Sequence, residues 1–165
     1  MKQSIAEGRG GGWEEFPKKK IFISFSGLDR NRMEILKGII ESTNLFYPVI
    51  VEKEKRRGGI SQVVIQDIKA CEYFLSILTM KSIKTQWINQ EIGFSFSIPE
   101  LDGKRLIIVE RSIINRLSGF ITKDTEKMDY IFEISEDNSS FIEAASSLMD
   151  TLVAEVIDTY KIEPV

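Results

Sequence analysis

The chain has 165 residues, of which 42% are hydrophobic and 28% are charged, and its formal net charge is -3. The length suits a single domain, and the composition excludes a disordered or collagen-like chain. Because the sequence contains no histidine, Ser-His and Cys-His nucleophile arrangements are excluded, no metal site is expected, and any catalysis must depend on carboxylates.

The charges are unevenly distributed along the chain. Residues 124–165 contain 11 acidic side chains against Lys127 and Lys161, which leaves residues 1–123 with 20 basic and 14 acidic side chains. A positive first part favours an anionic ligand such as a dinucleotide, although an acidic outer face on a C-terminal helix explains the asymmetry equally well. Aromatic and basic residues do not cluster, so nucleic acid is not an expected partner.

The first 17 residues are predicted to be a flexible leader, because their glycines and scattered charges leave little to bury. They lack the apolar stretch of a signal peptide, and no apolar run in the chain approaches the roughly 20 residues of a membrane span. We therefore expect a cytoplasmic protein without a membrane partner, whose domain covers residues 18–165. Cys71 is the single cysteine and is expected to be a buried, inert thiol.

Two strand-then-helix units open this domain. Residues 20–25 predict a strand, and a helix is predicted to begin near a cap at Asp29. Residues 47–51 predict an edge strand with Pro48 at its start, because Pro48 has no N–H for a sheet hydrogen bond. A polar loop at residues 52–59 leads into the second helix. The apolar residues at helical spacing are Met33, Leu36 and Ile40 in the first helix and Ile60, Val64, Ile68 and Cys71 in the second.

The centre of the predicted sheet is the strand at residues 73–79, a nearly continuous apolar run that is typical of a parallel strand covered on both faces. A helix beginning near Thr85 follows, and residues 105–109 predict the fourth strand. One side of this helix carries Trp87, Glu91 and Phe94, and the neighbouring side carries Ile88, Ile92 and Phe96.

The last part of the chain predicts a short fifth strand and a long helix. Residues 112–129 are irregular, and residues 130–134 form the strand. The sequence Ser140-Phe-Ile-Glu143 predicts a capping box at the start of the helix. Its apolar stripe consists of Phe141, Ala145, Leu148, Leu152, Val156 and Tyr160.

Strands alternating with helices predict an α/β fold of the flavodoxin-like type, with a five-stranded parallel sheet and helices on both faces. Ligands of such sheets bind outside the carboxyl ends of the strands. This rule predicts that residues 24–28, 52–59 and 79–85 lie together at the ligand edge.

Three segments of the sequence resemble the Toll/interleukin-1 receptor (TIR) domain family, and most closely its bacterial and archaeal branch. They are Ile21-Phe-Ile-Ser-Phe-Ser26, the charged loop ending in Arg57-Gly58-Gly59, and Thr85-Gln-Trp-Ile-Asn-Gln-Glu-Ile-Gly93. The resemblance covers residues 18–160, although the late aromatic box of the family is not recognisable in residues 112–129. It implies the flavodoxin-like TIR fold, self-association between TIR domains and, in many microbial members, cleavage of NAD+ at the bond between nicotinamide and ribose.

The same resemblance implies that Glu91 is the catalytic residue, because the glutamate of the Trp-x-x-x-Glu helix has this role in the NAD-cleaving branch. NAD+ is then the substrate and no cofactor is required. Members of the branch release linear ADP-ribose or cyclic isomers that act as immune signals, so this chain is expected to signal to a separate effector, as in anti-phage defence. The sequence does not distinguish the linear product from the cyclic one.

The chemistry of this cleavage is compatible with a single carboxylate. Nicotinamide leaves as a neutral molecule and needs no proton, so Glu91 has only to hold the ribose and stabilise positive charge on it. Trp87 lies one helical turn away and is expected to form a wall of the pocket and to influence whether the linear or the cyclic product forms. A packed aromatic and a solvated acid are the ordinary alternative for such a pair.

Other residues of the ligand edge are weaker candidates. Phe25, Ser26 and Gly27 are expected to contact the nucleotide, and an ordinary turn is the alternative. Arg57, with the neighbouring Arg56, is expected to contact phosphates or another subunit, unless it is only a solvated charge.

Two other functions fit the same pattern. The first is a non-catalytic TIR module that assembles through the loop at residues 52–59 and its helix faces. The second is an enzyme similar to nucleoside 2-deoxyribosyltransferases, whose carboxylate attacks deoxyribose.

Overall fold

The computed structural model describes residues 17–51, 61–117 and 130–160 of the chain. Residues 1–16 of the predicted leader, the loop at residues 52–59 with Ile60, and most of the irregular segment lie outside the described residues. The strands are β1 (Lys19–Ser24), β2 (Phe46–Val49), β3 (Tyr73–Leu78), β4 (Arg105–Glu110) and β5 (Tyr130–Phe132). The α-helices are α1 (Arg30–Ser42), α2 (Gln62–Lys69), α3 (Gln86–Ser95) and α4 (Ser139–Tyr160).

The five strands form one sheet in the order β2-β1-β3-β4-β5, and all four pairings are parallel. This confirms the flavodoxin-like α/β fold. β3 lies at the centre of the sheet and all six of its residues are buried, whereas β2 is an edge strand. The chain reverses its direction across the sheet between β1 and β3, and such a switch point is where open parallel sheets form ligand crevices.

The two faces of the sheet form two separate cores. Alternate residues of the strands point to opposite faces, so Ile21 and Ile23 of β1 pack in one core and Phe22 packs in the other. Residues of α1 and α4 complete the first core, and residues of α2 and α3 complete the second. Phe22 and Phe74 stack across β1 and β3 with ring centroids 5.7 Å apart, which fixes the register of these strands under α3.

The predicted start of the last helix is wrong. The helix begins at Ser139, so Ser140 lies inside its first turn, where the Ser140 hydroxyl accepts a hydrogen bond from the backbone N–H of Glu133 at 2.9 Å. Asp137 caps the helix instead, because its carboxylate accepts the N–H of Ser139 at 3.0 Å. This bond and the Ser135 hydroxyl hold the pKa of Asp137 below its ordinary value.

The other predicted elements differ from the structure at their ends. Pro48 is the third residue of β2 and not its beginning, and β5 ends at Phe132, two residues before the predicted end. The segment predicted to be irregular from residue 112 onward begins within a 3-10 helix at Arg111–Arg116. No helix within the described ranges is long and apolar enough to cross a membrane.

Candidate functional site at the switch point of the sheet

The ends of β1 and β3 are held together by a buried polar network. The chain leaves β1 through Phe25 and Ser26 and makes a 3-10 turn at Gly27–Asp29, which the Ser26 side chain caps by accepting the N–H of Leu28 at 3.2 Å. Beyond β3, the hydroxyl of Thr79 donates to Asp29 Oδ2 at 2.7 Å. This bond joins the two loops that the ligand-edge rule placed together.

Asp29 is the charged residue of this network. It is the N-cap residue of α1, as predicted, but its side chain makes no capping hydrogen bond. Its carboxylate instead accepts from Arg32 Nη1 at 2.8 Å and from Thr79, and its side chain is fully buried. The Asp29 side chain therefore connects the loop after β3 to α1 and does not cap the first turn of the helix.

Helix α3 approaches the end of β1 through two polar contacts. The hydroxyl of Ser24 donates to Glu91 Oε1 at 2.7 Å, and both residues have 0% of their surface exposed. One turn earlier, the indole N–H of Trp87 donates to the carbonyl of Phe25 at 3.4 Å, which is long for this type of hydrogen bond. The candidate carboxylate is thus held firmly, and the indole next to it is held weakly.

A pocket of about 400 Å³ opens beside these contacts. It lies between the loop after β1 and the first turn of α3, and its lining residues are Phe25, Ser26, Gly27, Leu28, Arg30, Thr85, Gln86 and Trp87. Its volume is within the range of small-molecule sites in proteins. The guanidinium of Arg30 lies 5.9 Å from the centre of the Phe25 ring, so the pocket combines apolar walls with a positive charge.

The structure brings four of the predicted site residues to this pocket: Phe25, Ser26, Gly27 and Trp87. Glu91 is not among the described residues that line it, because its side chain is buried one helical turn beyond Trp87. Arg57 and the neighbouring Arg56 lie outside the described residues.

Comparison with known proteins gives a likeness of fold. No family model matches the sequence, and no curated protein matches it. Solved structures similar to this chain include TIR domains. The TIR domains of the activated Roq1 resistosome that directly recognises the pathogen effector XopQ align with 88% of this chain and 92% of their own, at 16% identity and a TM-score of 0.47.

A second similar structure is the TIR domain heterodimer of RPS4 and RRS1. It aligns with 87% of this chain and 98% of its own, at 10% identity and a TM-score of 0.47. At these identities and TM-scores, neither likeness assigns a family or a function to this chain. The fold class itself rests on the strand order and the parallel register of the sheet.

Two residues of the site, Ser24 and Arg30, were not predicted to have a role there. Ser24 is a polar residue that directly follows the apolar run Ile21–Ile23 of β1, and a buried hydroxyl usually requires a hydrogen-bond partner, so its position at the end of the strand was a usable signal. Arg30 is the first residue of α1, and helical spacing alone did not show that it lines a pocket. Both residues flank the loop between β1 and α1, which lies at the ligand edge.

Proposed function

We propose that this chain cleaves NAD+ at the bond between nicotinamide and ribose, with Glu91 as the catalytic carboxylate. The products are nicotinamide and either ADP-ribose or a cyclic ADP-ribose isomer. The observation that carries the proposal is a fully buried glutamate, fixed by Ser24, one helical turn from a pocket at the switch point of a parallel sheet.

The chemistry fits the side chains at this edge. As the bond to nicotinamide breaks, positive charge develops on the ribose while the pyridine leaves as a neutral molecule. A carboxylate in surroundings of low dielectric constant stabilises that charge more strongly than it does in water. Water or a second group of the substrate then attacks the anomeric carbon, which gives the linear or the cyclic product.

The pocket suits parts of a dinucleotide. Phe25, Leu28 and Trp87 provide apolar surface for a ring, and Arg30 provides a positive charge for the diphosphate. We propose that the substrate enters over these residues and that Trp87 turns away to admit the ribose to Glu91. The 3.4 Å bond from Trp87 to Phe25 is the weaker of the two contacts and is therefore the one that opens.

We also propose that copies of this chain associate through TIR surfaces and that the product signals to a separate effector, as in anti-phage defence. The resemblance of the Trp87–Glu91 segment to the microbial TIR branch supports this part of the proposal. A cytoplasmic location is part of the same proposal.

A non-catalytic TIR interaction module is the second candidate. The observation that favours it is the complete burial of Glu91, which takes no part in lining the pocket. Leu28 is 65% exposed at the pocket mouth, and exposed apolar side chains at such positions suit protein contacts.

Product analysis distinguishes the candidates. Purified protein is incubated with NAD+ over a range of protein concentrations, and nicotinamide, ADP-ribose and cyclic products are separated by chromatography. We expect nicotinamide release, and Glu91→Gln should lower its rate at least about 100-fold, because the substitution removes the charge and keeps the size of the side chain.

Glu110→Gln is the matched control for this experiment. Glu110 is also a buried carboxylate at the end of a strand, where it accepts the N–H of Met80 at 2.8 Å, and it does not line the pocket. Its variant should retain activity. No nicotinamide at any protein concentration would favour the interaction module, and release of a base from a deoxynucleoside alone would favour the deoxyribosyltransferase-like enzyme.

A further inference from the structure

The contact between Ser24 and Glu91 joins two elements that are distant in the sequence. The residues are 67 positions apart, and the 2.7 Å distance from the hydroxyl to Glu91 Oε1 is typical of a hydrogen bond to a charged oxygen. Both side chains are fully buried, so water does not compete for the bond. In such surroundings a hydrogen bond to a carboxylate is electrostatically stronger than in water.

The two partners differ in rigidity. Ser24 is the last residue of β1, and its backbone is paired with Ser76 of β3 in the interior of the sheet. Glu91 has a longer side chain with more rotatable bonds. A hydroxyl fixed on the sheet therefore determines where the carboxylate lies, while the carboxylate has little influence on the strand.

We infer that Ser24 is a positioning residue for the reaction, which orients the carboxylate of Glu91 toward the ribose. This inference rests on the proposed cleavage of NAD+ and deepens it. Ser24 acts through Glu91 and does not itself contact the substrate. Catalytic groups must lie within roughly 0.5 Å of their productive positions, so loss of the hydroxyl lowers the rate without removing the carboxylate.

Ser76 provides a matched control within the same sheet. It is the register partner of Ser24, so its side chain lies on the same face of the sheet, and only 1% of its surface is exposed. Its hydroxyl has no hydrogen-bond partner among the residues that the structure describes. The two serines therefore lie side by side on adjacent strands, both buried, and they differ in that only Ser24 is bonded to Glu91.

The experiment compares kcat and KM for NAD+ in Ser24→Ala, Ser24→Cys, Ser24→Thr and Ser76→Ala. We expect kcat to fall about 10- to 100-fold in Ser24→Ala and Ser24→Cys, because a misplacement of about 1 Å is enough to produce such losses. KM should change little, since Ser24 is not part of the pocket lining. Ser24→Thr keeps the hydroxyl and should retain most of kcat, and Ser76→Ala should resemble the wild type.

Thermal melting is measured for every variant, and Ser24→Cys, which nearly preserves the volume, decides the outcome if Ser24→Ala does not fold. A kcat of Ser24→Ala within twofold of the wild type would overturn the inference. An equal loss in Ser76→Ala, or a Ser24→Thr variant as slow as Ser24→Ala, would overturn it too. If the wild type and the Ser24 variants release nicotinamide at similar rates and only Glu91→Gln does not, the positioning role of Ser24 is refuted while the proposed function stands. No release by the wild type overturns the proposed function and this inference with it.

Discussion

Replacing Asp29 by asparagine tests whether its buried ion pair holds the ligand edge together. The asparagine keeps the shape of the side chain and one acceptor for Thr79, but its amide group removes the charge that pairs with Arg32. The Arg32 side chain is only 11% exposed, so its guanidinium is left largely buried without this partner. Breaking a buried pair in this way costs roughly 3–5 kcal/mol, and the remaining exposure of Arg32 favours the lower end of that range.

We therefore expect Asp29→Asn to lower the free energy of unfolding by about 3 kcal/mol, which corresponds to a fall in Tm of about 6–12 °C for a domain of this size. The assay is urea denaturation followed by circular dichroism, together with a thermal melt. Glu133→Gln is the control, because its ion pair with Arg111 has side chains 68% and 61% exposed and should contribute no more than about 1 kcal/mol. An Asp29→Asn variant as stable as this control would refute the reasoning.

Three further predictions concern two side chains, Trp87 and Cys71. Trp87→Ala should lower the share of any cyclic product that the wild type forms, as measured by chromatography, because the indole that lines the pocket no longer holds the reacting end of the substrate; an unchanged share of cyclic product would contradict the steering role. Burial, followed by the charge of Asp67, raises the pKa of Cys71 from 9.0 to about 12, so the native thiol should resist thiol reagents at pH 8 and react only after unfolding. The raised pKa also means that Cys71 favours the native state below pH 9 and that this contribution is lost as the pH rises from 9 to 12, which denaturation at increasing pH would detect.

The centre of the sheet was predicted well from the sequence because β3 is covered on both faces. The nearly continuous apolar sequence of β3 is typical of a buried parallel strand and made its assignment straightforward. Pro48 correctly indicated that β2 is an edge strand. The crossover rule then placed Phe25, Ser26 and Gly27 at a pocket that is present in the structure. The tertiary partners of polar side chains were harder to predict. The Asp29 side chain bonds to Thr79 of another loop and to the Arg32 side chain, and not to the backbone N–H groups at the start of its helix, and no local pattern shows that choice.

The start of α4 shows the same difficulty at short range. Ser139 and Ser140 are adjacent, and only Ser140 is followed three residues later by a glutamate, as a capping box requires. The start of the helix depends on two other residues. The carboxylate of Asp137 accepts a hydrogen bond from the N–H of Ser139, and the N–H of Glu133 donates to the Ser140 hydroxyl. Competition among neighbouring polar groups determines where this helix begins, and the spacing of apolar residues contains no information about that competition.

The edge strand β2 limits how copies of this chain can assemble. The carbonyl of Leu45 accepts from Lys19 of β1 at 3.0 Å, and backbone groups alternate between the two sides of a strand, so Pro48, three residues later, faces outward. The outward position of Pro48 has no N–H, and a second sheet cannot extend this edge past it without losing a hydrogen bond. Continuous β-pairing at the β2 edge is therefore disfavoured, and contacts between copies at this end of the sheet must be made by side chains.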